Sequence, residues 1–559
     1  MPARILSPGG LALLAIGLSA VIPYLQGVSS YFLSDDFGLI WLFSQKPALH
    51  FLTLFTSPWV EDIYGYAADE LRPLIALSYQ VDYWLGGINP LAYHLDNLVF
   101  HALNSALVFT MARYLLRLDV VPAAFAGVLF AVMPVHVEAV GWISGRADLI
   151  PAFFYLSTAL SYAAWRRTGG RRWYVLSLCT FFLALFSKQS AITMVATLVL
   201  FDVLIERRRI WLSVNELLPY LPHAAFTFGY LALRYVLFGN AVREQTLSMD
   251  MVNAFLLRQK NYLQMIGSGV ETLGLGGADR NYGGLAMGVT MLALLLAAAY
   301  YAYRSAKHRS LDGLLAAFGP LLFAVTLVLT TLAPLLVTYH SSRHLYLVSV
   351  GIVLGIALGF GALWGERRDA LRGAAVVLAA GLLVGQAVVL TWAVGEWNHA
   401  ARLSEKIRAD VEREALAAPE GTLFILGAPP TGGTQWLWSW LWGFSMPFAL
   451  EPPFTPETVG NRAAFVTRVE VFCCPGSLWQ PEVRNTVNAW SASSTRPPVI
   501  ALAWSVPDSN LIKVSDRDDP ALRQKALSLA DAPSPAVLAG ALDDILRPLG
   551  GTATYFRTN

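Results

Sequence analysis

Charge is scarce in this sequence. Asp, Glu, Lys and Arg make up 14% of its 559 residues, against roughly 25% in ordinary soluble domains. The two signs nearly cancel, with 40 basic and 38 acidic residues and a formal charge of +2. That balance excludes a nucleic-acid partner held by a broadly basic surface. Cysteine is rarer still: Cys179 lies inside an apolar run and Cys473 and Cys474 are adjacent, so no paired spacing offers a thiolate zinc site. The Gly-rich stretch 427–434 lacks the Lys-Ser/Thr ending of a P-loop and the spacing of a dinucleotide fingerprint, and reads as a turn. No small-residue cleavage signature separates the first apolar stretch from Ser34-Asp35-Asp36, so that stretch is expected to be an uncleaved first span. What is abundant is apolar surface: 55% of residues are hydrophobic and the mean hydropathy is +0.50. That surplus calls for lipid as a solvent.

Every backbone polar group inside a bilayer must be satisfied within its own span, so a crossing helix needs roughly 20 apolar residues. Such stretches begin near Leu11, Leu91, Val120, Leu149, Trp173, Ala191, Leu217, Leu285, Leu311, Leu345 and Ala374. They predict a mainly α, polytopic membrane protein with a bundle of about eleven transmembrane helices. Between the stretches at Trp173 and Ala191 the only break is Ser187-Lys188-Gln189. Alternate connections are basic: Arg113 and Arg117; Arg166, Arg167, Arg171 and Arg172; Arg207, Arg208 and Arg209; Arg304, Lys307 and Arg309; Arg367, Arg368 and Arg372. By the positive-inside rule they face the cytoplasm. The N-terminus is then cytoplasmic and everything after about Trp397 lies outside, as expected in a bacterial inner (plasma) membrane. Residues 1–396 form the expected transmembrane domain, with 29–90 as a first outer segment whose apolar runs 49–55 and 74–85 suit the interface. Trp59, Tyr64, Tyr66, Tyr83 and Trp84 there fit an aromatic belt. Residues 397–559 form an expected small extracytoplasmic α/β domain with extended runs at 422–426 and 499–504; no 34-residue helical repeat occurs in it.

The outer side gathers the chemistry. Asp35 and Asp36 follow the first span, where one carboxylate can take a proton from an acceptor hydroxyl and a pair can bind a divalent ion; the alternative is that Ser34 or Asp35 caps a following helix. The connection from Met133 to Asp148 concentrates His136, Glu138, Arg146 and Asp148, with an internal Arg146–Asp148 ion pair as the alternative. His94, Asn97, His101 and Asn104 share one helical face. They serve either as interhelical glue or as the wall of a wet groove, and His94, nearest the outer end, is the member expected to reach substrate, as is His136 in the neighbouring connection. Outer cations run against the orientation bias, which singles out Arg72, Arg146, Lys188 and Arg343 as ligands for a phosphate. Arg343, followed by His344, is the foremost of them; its alternative is a side chain snorkelling to lipid headgroups.

Together these residues resemble the GT-C class of membrane glycosyltransferases, and within it the protein O-mannosyltransferase branch that carries transmembrane spans followed by tetratricopeptide repeats. The resemblance rests on Asp35-Asp36, Arg72-Pro73-Leu74, His94-x-x-Asn97-x-x-x-His101-x-x-Asn104, and the run from Pro134 through His136 and Glu138 to Gly145-Arg146-Ala147-Asp148-Leu149. Ser187-Lys188-Gln189 and Arg343-His344-Leu345-Tyr346 match more loosely. The resemblance implies transfer of a sugar from a polyprenyl-phosphate donor to a protein, lipid or glycan acceptor, with inversion. Asp35 or Asp36 would be the base, Glu138 and Asp148 would line the site, Arg72 and Arg146 would orient it, and Arg343 would take the phosphate. Some members bind a divalent ion, magnesium or manganese, through such acids; here these would be Asp35, Asp36 and Glu138. The chain departs from the pattern at Met133 (usually His), at Gln189 (often an acid) and in lacking the repeats.

Two other readings stand beside it. A polysaccharide polymerase or ligase using a lipid-diphosphate glycan would use a large later outer loop, for which 239–284 with Arg243, Arg258, Lys260 and Arg280 is the candidate. A transporter or lipid flippase would need internal repeats and ionisable groups near mid-membrane, whereas the acids here cluster at the outer rim.

Overall fold

Helix fills each apolar stretch that marks a candidate span. The computed structural model describes residues 7–60, 63, 69–210, 213–241, 282–306, 311–337, 341–427, 447–456, 459, 462–467, 479–505, 510–513 and 519–546. Tyr64, Tyr66, Arg243, Arg258, Lys260, Arg280, Lys307, Arg309, Cys473, Cys474 and residues 428–434 lie outside them. The helices that matter here are α1 (Pro8–Val21), α2 (Asp35–Gln45), α3 (Pro73–Gly86), α4 (Pro90–Tyr114), α5 (Val120–Val132), α6 (Val137–Gly141), α7 (Arg146–Thr168), α8 (Arg171–Leu185), α9 (Met194–Leu204), α10 (Leu221–Phe238), α11 (Tyr282–Ser305), α12 (Leu311–Leu332), α13 (Leu345–Trp364) and α14 (Asp369–Ala417).

Among the described residues, Pro8–Gly27, Ala286–Ser305, Asp312–Leu335, Ser342–Trp364 and Asp369–Ala417 are long and apolar enough to cross a membrane by length and composition. A sixth joins them if α5 and the segment Pro134–Gly141, bent from it by 48°, count as one. The protein is an integral membrane protein. The remaining expected spans are helical but fall short for physical reasons. α4 carries His94, Asp96, Asn97, His101 and Asn104, and α7 opens with Arg146 and Asp148 and closes with Arg166 and Arg167. α8 and α9, flanking the break at Lys188, have 15 and 11 residues.

The chain divides into two compact units: Met1–Ser29, Pro47–Glu61 and Gly65–Gly395 make the first, and Ser30–Lys46, Asp62–Tyr64 and Glu396–Asn559 the second. The sequence grouped all of 29–90 with the spans, but Ser30–Lys46, and α2 with it, belongs to the second unit. The rings of Phe32 and Phe37 pack against Phe454, and Trp41 packs against Phe448, all within that unit. In the first unit, helices approach backbone to backbone. A Cβ on Gly359 would sit 1.8 Å from the carbonyl oxygen of Leu294, and one on Gly351 2.5 Å from that of Ala324. Glycine at these points lets α13 close on α11 and α12, as helices in lipid need when packing, not water exclusion, joins them.

In the second unit a four-stranded sheet has the order β2-β1-β3-β4, from β1 (Thr422–Gly427), β2 (Ala463–Thr467), β3 (Val499–Ser505) and β4 (Asn510–Lys513). β1 runs parallel to both neighbours, with Phe424 opposite Phe465 and Ile500, and β4 is antiparallel to β3. Every residue of β1 is buried, as a central parallel strand covered on both faces must be. Leu423 and Ile425 share a core with Val487, Trp490, Leu522 and Leu542, while the ring of Phe424 stacks on Phe465 at 5.5 Å.

Candidate functional site

Glu138 and Asp148 flank a tight double turn in the first unit. A Cβ on Gly145 would lie 2.4 Å from the carbonyl oxygen of Ala139 and 2.6 Å from that of Glu138, so only glycine lets the chain fold back here. Asn97 fastens the turn from α4, its amide donating to the carbonyls of Val140 and Trp142 at 3.2 and 2.9 Å. Asp148 then falls in the first turn of α7, where the helix dipole favours a negative charge.

Two cations converge on this pair. Lys188 forms an ion pair with Asp148 Oδ1. The Nε of Arg343 lies 3.8 Å from Asp148 Oδ2 and 3.9 Å from Glu138 Oε1, and its guanidinium sits 4.8 Å from the ring centre of Trp142. Glu138 also holds the chain that carries Arg343. Its oxygens accept the hydroxyls of Ser341 and Ser342, each at 2.6 Å, and the amide of Arg343 at 3.1 Å. Burial holds the Lys188 ammonium below the ordinary lysine range; Arg72 and Arg343 push the same way, against Asp148. Arg72 itself pairs with Glu70 at 2.7 Å over Trp59, whose indole donates to Glu70 at 3.1 Å. A desolvated set of cations balanced by fixed carboxylates is suited to hold an anion whose charge changes during a reaction.

Arg146, expected among the phosphate ligands, has a different place. It is fully buried, donating to Asp82 at 2.6 Å, Ser78 at 3.1 Å and the carbonyls of Ile143 and Tyr93 at 3.2 and 3.0 Å, with Asp96 at 3.3 Å. It therefore pairs with α3 and α4, not with Asp148, and fixes α3 to the start of α7. His136, also expected to bind substrate, is fully buried and within 2.8 Å of the Ser349 hydroxyl, among Phe130, Tyr346 and His101. The polar stripe of α4 joins helices: His101 lies between the hydroxyl of Tyr346 at 2.8 Å and the carbonyl of Ala131 at 3.0 Å, and Asn104 donates to the carbonyl of Leu149 at 3.0 Å. His94 and His344 are buried.

Sequence reasoning passed over Arg234. It is buried on α10 and donates to Asp69 at 3.0 Å, to Gln189 at 3.2 Å and to the carbonyl of Ala241 at 3.0 Å. As a cation at the outer end of its stretch it satisfies the same rule that singled out Lys188. Gln189, standing where an acid is often found, supplies a neutral acceptor beside Lys188.

Asp35 and Asp36 lie in the second unit and differ from each other. Ser34 precedes α2 at φ 48° and ψ −119°, a left-handed conformation that costs a non-glycine residue about 1–3 kcal/mol. The Ser34 side chain caps nothing, and the Asp36 carboxylate instead accepts the Leu33 amide at 3.0 Å. Asp36 is buried, whereas Asp35 is half-buried. Among the described residues no three His, Cys, Asp or Glu side chains converge as a metal-ligand set.

No protein-family profile matches the chain. Curated relatives do. Over 137 residues, 24% of this chain and 15% of the relative, it is 43% identical to protein O-mannosyl-transferase Tmtc1 of Drosophila melanogaster. Over 231 residues, 37% of this chain and 31% of the relative, it is 29% identical to protein O-mannosyl-transferase TMTC4 of Homo sapiens. The chain thus spans less than a third of the length of these relatives, and it is similar to protein O-mannosyltransferases over that part. Among solved structures, ArnT from Cupriavidus metallidurans bound to undecaprenyl phosphate aligns with 89% of this chain and 94% of its own, at a TM-score of 0.48 and 14% identity.

Proposed function

We propose that this chain is a membrane glycosyltransferase that moves a sugar from a polyprenyl-phosphate donor to an acceptor hydroxyl at the outer face, with inversion. The observation that carries this reading is the convergence of Lys188 and Arg343 on Asp148 and Glu138, in a chain similar to protein O-mannosyltransferases. In the reaction the acceptor hydroxyl gives its proton to a carboxylate, its oxygen bonds to the anomeric carbon, and the bond from that carbon to the phosphate oxygen breaks. The polyprenyl phosphate leaves with an extra negative charge, which Arg343 and Lys188 stabilise, with Arg72 close by. Asp35 is the proton acceptor; its partial exposure supports this choice over Asp36, which is buried on a backbone amide. The distribution of basic residues supports a cytoplasmic N-terminus and an extracytoplasmic C-terminal unit. Purified protein, given a panel of polyprenyl-phosphate monosaccharides beside diphosphate-linked glycans, should release polyprenyl phosphate from the first set. Release of polyprenyl diphosphate alone would favour a polymerase or ligase instead.

A further inference from the structure

Ser34 holds an unfavourable backbone conformation next to Asp35, and something must enforce it, because a serine left to itself would relax. The second unit supplies that force from residues far away in the chain. Ser404, wholly buried on α14, donates to the carbonyl of Phe32 at 2.9 Å. The Ser30 hydroxyl donates to the side-chain oxygen of Asn398, nearly two turns earlier on the same helix, at 3.0 Å. Phe454 stands edge-on to both Phe32 and Phe37, with ring centres 5.4 and 5.0 Å apart. Phe32 and Phe37 lie on either side of the turn. The carbonyl of Phe454 receives the guanidinium of Arg408, also on α14, at 3.3 Å. Farther along α2, Trp41 meets Phe448 at 4.6 Å. The turn is thus gripped at both ends: by hydrogen bonds from α14 before it, and by one aromatic ring shared between its two flanks.

We propose that the C-terminal unit is a clamp for the Ser34–Asp36 turn, with Ser404 and Phe454 as positioning residues that fix the direction in which Asp35 is presented. Loosening the clamp lets Ser34 return to ordinary backbone angles, which breaks the bond from the Leu33 amide to Asp36 and swings Asp35 away. The catalytic consequence rests on the function proposed above; the mechanical one does not.

Amide hydrogen exchange and transfer kinetics on the full chain in nanodiscs test both. In Phe454→Ala and Ser404→Ala, the amides from Leu33 to Phe37 should exchange about tenfold faster, while those of β1 keep the wild-type rate. With an active donor, kcat should fall about 10- to 100-fold while the donor KM stays within about twofold, as expected when a reacting group is misplaced without loss of binding. Adding Ser34→Gly should restore much of kcat to Ser404→Ala, because glycine adopts the turn unaided; a variant that merely damaged the fold would not be rescued so. If Phe454→Ala also accelerates β1, the milder Ser404→Ala decides. Unchanged exchange at Leu33 in Ser404→Ala overturns the clamp. Faster exchange with unchanged kcat overturns the positioning role. If wild type transfers no sugar from any donor, the function reading fails while the exchange data still decide the clamp.

Discussion

The carboxylate of Glu138 accepts the hydroxyl of Ser342 at 2.6 Å, joining two residues 204 positions apart in sequence. With Ser341 and the amide of Arg343 on the same carboxylate, Glu138 acts as the anchor of the segment that carries Arg343. A carboxylate already taken up by three donors has little capacity left to bind a substrate hydroxyl.

Removing that anchor should act through Arg343. Glu138→Ala leaves two hydroxyls and an amide without their acceptor, at about 1–3 kcal/mol for each group left buried and unsatisfied. The expected signature is a raised donor KM with little change in acceptor KM. Ser341→Ala with Ser342→Ala should reproduce part of it. Steady-state kinetics with donor and acceptor varied separately would show this, and a change confined to the acceptor would count against it.

Arg343→Ala should weaken the donor directly. A charge-assisted bond to phosphate contributes about 1.5–3 kcal/mol, or roughly 10- to 100-fold in donor affinity. Arg343→Lys should recover only part, because an ammonium does not reproduce a planar guanidinium over Trp142. Titration of donor binding to each variant provides the check.

The part of this site legible in the sequence is the part that broke a rule. Arg72, Lys188 and Arg343 stood out as cations on the side where few are expected. The runs 422–426 and 499–504 became β1 and β3 because buried parallel strands read as unbroken apolar stretches. What stayed hidden depended on distant partners. Arg146 looked like a phosphate ligand until Asp82 and Asp96, 64 and 50 positions away, took its guanidinium. Nor does any residue pattern announce the turn at Ser34, so Asp35 and Asp36 looked equivalent.

Lys188 predicts a pH dependence. Burial beside Arg72 and Arg343 lowers its affinity for a proton, so its charge is lost earlier as pH rises than in an ordinary lysine. If that charge stabilises the leaving phosphate, activity should fall on the alkaline side with a midpoint below about 10.4, the reference lysine value. Lys188→Arg, charged throughout, should move that limb to higher pH. A pH–rate profile whose alkaline limb is the same in both proteins would remove Lys188 from this role.

Arg146 should govern stability and not the donor. Taking one partner from a buried ion cluster costs about 3–5 kcal/mol, so Arg146→Ala should lower the thermal midpoint of the solubilised protein sharply. Arg146→Lys should not restore it, since one ammonium cannot reach Asp82, Ser78 and the carbonyls of Ile143 and Tyr93 at once. Thermal unfolding followed by tryptophan fluorescence would measure both.

The most direct measurement is the rate of sugar transfer from a polyprenyl-phosphate donor by wild type, Asp35→Asn and Asp36→Asn. Asp35→Asn should lose at least about 100-fold in kcat while still binding donor, the lower end of what a positioned general base contributes. Asp36→Asn should lose less, since its side-chain oxygen can still accept the Leu33 amide. Full activity in Asp35→Asn would contradict the account.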